Sequence, residues 1–192
     1  RRRHSLHEVV VVTRDRPFLF ASLCATLSSL GLNIEKAEAF ANSRRMALDT
    51  FIVSDPLRTL ESDPAESSRL AQTLGKVAEG LTDVRDLLKR RKSSFAARRR
   101  VRVEPKVAID NQASSRATVA HVIAADRTGL LFDLASKFSQ HECDIEVVLI
   151  DTQGHKAIDV FYVVGPNGKL DPASREMLQA ELLEACRNPQ SD

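Results

Sequence analysis

Two copies of one pattern lie about 111 positions apart in this chain, and that duplication limits its fold more than any other feature. In the first copy Glu8 to Thr13 (EVVVVT) leads into Arg14-Asp15-Arg16-Pro17-Phe18-Leu19. In the second, Thr118 to Ala124 (TVAHVIA) leads into Ala125-Asp126-Arg127-Thr128-Gly129-Leu130. Further on, Asn33-Ile34-Glu35 matches Asp144-Ile145-Glu146, and Leu48 to Val53 matches Ile158 to Val163 after a one-residue slip. The slip falls in 41–45 and 152–156, which read as hairpin turns, where a change of length costs least. Two homologous modules are therefore expected.

Each module reads in the same order. An aliphatic strand (about 8–13; about 117–124) ends at an Asp-Arg pair, and a helix follows. Pro17 sits at the first helical position in one copy, and Thr128 is a candidate cap in the other. Leu19, Leu23, Leu27 and Leu30 recur at helical spacing, as do Leu131, Leu134 and Phe138, so each helix carries one apolar stripe. Gly31 and the His141-Glu142 region close the two helices. Hairpin strands at 33–41 with 45–53 and at 143–151 with 156–164 come next. Second helices at 64–79 and 172–187 each carry a proline in the first turn, Pro64 and Pro172. The layout is an α+β, ferredoxin-like βαββαβ module made twice, with antiparallel sheets and helices on one face. Its last strand is the open point: Val101 to Ile109, interrupted by Pro105, is the candidate for module 1, while module 2 either borrows Lys106 to Asn111 or stops at its helix. Module 1 is drawn as 1–110, with 57–68 a surface connection and 89–102 a basic linker, and module 2 as 111–192.

Composition narrows the partners. Of 192 residues, 43% are apolar and 28% charged, the balance of a globular domain. The longest aliphatic run is Val9 to Val12, far below the roughly 20 residues of a membrane span, and no leader precedes it. Cys24, Cys143 and Cys186 are odd in number and lack C-x-x-C spacing, which fits a reducing cytoplasm better than disulfides or zinc. Without Trp and with one Tyr, a stacking platform for single-stranded nucleic acid has little material. Residues 1–104 hold 20 Lys/Arg against 13 Asp/Glu, and 105–192 hold 8 against 13. Lys89 to Arg102 alone carries eight basic residues, read as a solvated linker or a contact to further domains. An opening of Arg1-Arg2-Arg3 without Met reads as a piece of something longer.

The paired Asp-Arg turns, with Asn or Asp before Ile at the next strand, resemble the ACT family of regulatory small-molecule-binding domains. In the second copy Val107 to Asn111, Thr118, Ala125 to Leu131 and Ile158 to Val163 look like the C-terminal tandem ACT region of the bifunctional uridylyltransferase/uridylyl-removing enzymes that act on the nitrogen-signal protein PII. That resemblance runs from about Glu8 to Cys186. It implies a parent with a nucleotidyltransferase domain, needing Mg²⁺ and a nucleoside triphosphate, and a metal-dependent phosphohydrolase domain. No Gly-Ser pair and no His-Asp pair occurs in the chain, so catalysis by it alone, and any cofactor or metal of its own, is not expected.

The resemblance implies a sensor that binds an amino acid, glutamine, and passes that state to catalytic domains outside this chain. Its candidate ligand residues are Asp126, Arg127, Thr128, Gly129 and Leu130, with Asp144 and Ile145 opposite. The turn at a helix N-terminus suits a carboxylate, a glycine admits close approach, and Asp126 and Asp144 suit an ammonium. The equivalent set Asp15, Arg16, Phe18, Leu19, Asn33 and Ile34 is weaker, because Phe18 stands where Gly129 does. Asp49 and Asp159, on strands, are expected to face solvent or a neighbouring module. The modules are expected to pack side by side or exchange strands in a homodimer, with the effector at their junction. Two alternatives stay open: a free-standing tandem ACT protein for another effector, and an interaction module using the basic segment. Neither a membrane nor a nucleic-acid partner is expected.

Overall fold

The computed structural model of this protein describes residues 5–41, 44–84, 86–87, 103–127, 129–153 and 155–187. Thr128, Gly154 and the basic stretch 89–102 fall outside these described residues. The chain divides into two compact units, Arg1–Arg98 and Arg99–Asp192.

In the first unit β1 (Leu6–Arg14), α1 (Leu19–Ser29), β2 (Asn33–Ala41), β3 (Met46–Ser54), α2 (Thr59–Ser62) and α3 (Pro64–Ala78) follow one another. β3 lies between β1 and β2, antiparallel to both, with Val12 and Phe40 flanking Leu48. In the second unit come β4 (Lys106–Asp110), β5 (Thr118–Ala125), α4 (Leu130–Gln140), β6 (Asp144–Gln153), β7 (Lys156–Val164) and α5 (Pro172–Arg187). β7 lies between β5 and β6 in the same antiparallel manner. A register shift recurs at one place in each unit, between Ile34 and Lys36 and between Ile145 and Val147. The fold is thus two modules of ferredoxin-like type and α+β class, each an antiparallel sheet with its helices.

Alternation in β3 and β7 explains why the helices lie where they do. Ala47, Phe51 and Val53 are buried on one face of β3, and Ala157, Phe161 and Val163 on one face of β7. Burying a phenylalanine of this kind stabilises by about 2–3 kcal/mol. Phe51 stacks on Phe20 at 5.5 Å between ring centroids, and Phe161 meets Phe138 at 4.8 Å. The units use equivalent strand phenylalanines but recruit aromatic partners from different turns of the helix. α3 and α5 each start on an Asp-Pro pair: Asp63 accepts from Ala65 N at 2.8 Å, and Asp171 from Ala173 N at 2.9 Å.

Several expectations change. α1 begins at Leu19, two residues after Pro17, because Phe18 takes the left-handed capping conformation. The connection 57–68 holds α2 and the first turn of α3. Asp49 and Asp159 face inward, each 3% exposed, because they share the parity of Phe51 and Phe161. The open strand is resolved in favour of the second unit: β4 lies antiparallel on the outer edge of β5, from Lys106 against Ile123 to Asp110 against Val119. Lys106–Asp110, drawn in the 1–110 module, therefore completes the other unit's sheet. Polar links hold it there. Asn111 Nδ2 donates to Leu170 O (2.8 Å), Thr118 Oγ1 donates to Asn111 Oδ1 (2.7 Å), and Gln179 Nε2 donates to Val107 O (2.8 Å). On the corresponding edge of β1 no strand lies among the described residues.

Candidate ligand-binding turn

The turn from β5 into α4 is built by local rules that the turn from β1 into α1 repeats. Asp126 N donates to His155 O at 2.9 Å, and Asp15 N to Arg45 O at 2.8 Å, so each turn is tied to the hairpin beside it. Leu130 N donates to Arg127 O, and Leu19 N to Arg16 O. The residue before each helix is left-handed: Gly129 at φ 84° and Phe18 at φ 62°. A side chain in that conformation costs about 1 kcal/mol or more, which glycine avoids. The first unit thus keeps the backbone of the turn with a strained residue, whose side chain is 38% exposed.

The arginine of each Asp-Arg pair turns to the far helix. Arg16 donates to Val77 O (2.6 Å) and Ala78 O (3.1 Å) at the end of α3. Arg127 donates to Ala185 O (3.0 Å) near the end of α5 and pairs with Asp133 at 2.5 Å. A cation fits there because the last carbonyls of a helix lack partners and carry partial negative charge. Nε and Nη1 of Arg127 are buried without a hydrogen bond.

Behind each turn aspartate stands a buried strand aspartate that the sequence reading misplaced. Burial first, then the nearby Asp126 and Asp151, pushes the Asp159 carboxyl up to about 7. Burial and Asp15 do the same to Asp49, also to about 7. Asp159 Oδ1 has no hydrogen-bond partner, which a proton on the carboxyl makes tolerable. Burial, then Asp144, raises the Cys143 thiol to about 11, and Cys186 is raised to about 11 chiefly by burial. Neither is a ready nucleophile at neutral pH.

Asp126, Arg127, Gly129 and Leu130 share one turn, while Thr128 lies outside the described residues. Asp144 and Ile145 do not join them within the unit. Asp144 pairs with Val164, whereas the turn sits beside His155 and Lys156 at the other end of β7. Nine residues of strand separate those ends by about 27 Å. Asn33, opposite Ser54, is likewise far from Asp15, whose turn adjoins Arg45. Asp144 and Asn33 are exposed, while Leu130, Ile145, Leu19 and Ile34 are core residues. Among the described residues no helix is long and apolar enough to cross a membrane, and no cluster of His, Cys, Asp or Glu is arranged to hold a metal.

No protein-family model matches the chain. It is 35% identical over 195 residues to a bifunctional uridylyltransferase/uridylyl-removing enzyme of Phenylobacterium zucineum (strain HLK1), a match covering 96% of this chain and 20% of that protein. The enzyme of the same name from Caulobacter vibrioides (strain NA1000 / CB15N) is 36% identical over 182 residues, covering 93% of this chain and 19% of the relative. The chain spans about a fifth of the length of these curated relatives. Among solved structures, aspartate kinase from Synechocystis is similar at a TM-score of 0.50 and 15% identity, over 95% of this chain and 27% of that one. That likeness speaks to the fold alone.

Proposed function

We propose, from a chain homologous over nearly its whole length to part of the bifunctional uridylyltransferase/uridylyl-removing enzymes, that it is a regulatory portion of such an enzyme and senses glutamine in the cytoplasm. The observation that carries this reading is the β5–α4 turn, where left-handed Gly129 opens α4 without a side chain. An amino acid's carboxylate is received by main-chain N–H groups at that helix start, where the helix dipole favours an anion. Its ammonium is drawn to the Asp126 carboxylate. Arg127 ties the turn to the end of α5, and Leu130 anchors it in the core. The β1–α1 turn, with Phe18 in the glycine's place, stays empty.

Catalysis on PII, with its Mg²⁺ and nucleoside triphosphate, belongs to domains outside this chain. Among the described residues no carboxylates group to hold that metal. Glutamine controls those domains only as far as it binds one of their arrangements better than the other.

Isothermal titration with glutamine, against glutamate, glycine and serine, tests the reading. Selective glutamine binding near one site per chain, lost in Gly129→Phe and kept in Phe18→Gly, is the expected result. Equal heats for all four amino acids, or binding indifferent to Gly129→Phe, overturn it.

A further inference from the structure

Among the described residues the centre of the outer edge of β1 has few of the usual protections of an exposed strand. Its nine-residue ladder with β3 is unbroken by a bulge, its centre Val9–Val12 holds no proline and no charge, and no described strand lies on its other side. The repeat shows what such an edge accepts. On β5, the five positions Val119 to Ile123 are covered by antiparallel β4, and they correspond to Glu8 to Val12 of β1. The face of the sheet that this edge borders carries an apolar patch between charged ends. Leu6, Val10 and Val12 are 64%, 53% and 66% exposed, and Val12, Leu48 and Phe40 form one cross-strand row.

The strand is also complementary to itself. About a two-fold axis at Val11, antiparallel pairing sets Val10 against the partner's Val12 and Glu8 against the partner's Arg14, twice over. All four positions lie on the exposed face, so charge meets charge and apolar meets apolar. With the axis at Val10, Glu8 faces the partner's Val12 and Arg14 faces the partner's Leu6. With it at Val12, Arg14 faces the partner's Val10. A slip of one residue would turn the pattern to the other face. We propose that β1 pairs antiparallel with β1 of a second copy of this chain, in the register centred on Val11.

Sedimentation equilibrium of the whole chain, with circular dichroism to confirm folding of each variant, tests this. A reversible dimer is expected. Val10→Lys weakens it, and Glu8→Arg or Arg14→Glu alone each weaken it by roughly tenfold through two like-charge contacts. The combined Glu8→Arg, Arg14→Glu variant recovers the dimer to near its original strength. A chain that stays monomeric at all concentrations overturns the proposal. So does a dimer indifferent to the single variants, which places the contact elsewhere, or a combined variant no better than either single one.

Discussion

Asp49 and Asp159 each place a carboxyl in the buried layer between sheet and helices, with a second aspartate nearby. The folded chain holds their protons up to about pH 7, whereas the unfolded chain releases them near the ordinary value of about 4. Stability therefore falls as pH rises between those values, and the loss is complete above the higher one. Asp159→Asn should be more stable than the natural chain at pH 8, by about 2 kcal/mol, with the gap closing near pH 4; urea titrations at both pH values measure it. Gly129→Ala should cost about 1 kcal/mol in the second unit, read from the thermal midpoint, because φ 84° disfavours any side chain. The inward parity of Asp49 was legible, since Phe51 and Val53 share it. General burial preferences outweighed it, because they send a lone carboxylate to the surface.

Among the elements, the two Asp-Arg turns make a controlled comparison. The arginines grip the ends of α3 and α5, but Arg127 also neutralises Asp133, which is 5% exposed and stands where the first unit has Ser22. Arg16→Ala should cost about 1–2 kcal/mol for its two partly exposed hydrogen bonds to Val77 O and Ala78 O. Arg127→Ala should cost about 3 kcal/mol or more, because it removes the cation that neutralises a buried carboxylate. Urea midpoints of the two variants decide the order, and Asp133→Ser should remove most of the difference. Apart from α2 and β4, strand and helix spans were readable from sequence within about two residues, because periodicity and a first-turn proline are local signals. The arginines' task was not, since their acceptors lie about 60 positions away.

For the whole molecule, the sequence supported two modules and left the origin of the fourth strand between two choices. Pro105 and the polar tail after Arg187 made a second-unit strand hard to place, and only the pairing of Val107 with Val122 decides the matter. A chain of residues 99–192 should unfold in one cooperative step. One of 112–192, lacking β4 and Asn111, should be at least about 2 kcal/mol less stable, because Thr118 and Leu170 lose their polar ties. Because β4 precedes β5, the second unit's edge strand is the first part of it to leave the ribosome. Roughly 60 residues separate Lys106 from the end of β7. At about 5–20 residues per second the nascent chain carries that strand for several seconds before the whole four-stranded sheet has been made. Within this unit α5 follows all four strands, and it brings the buried Leu178 and Leu182 to a helix and an edge strand already in hand.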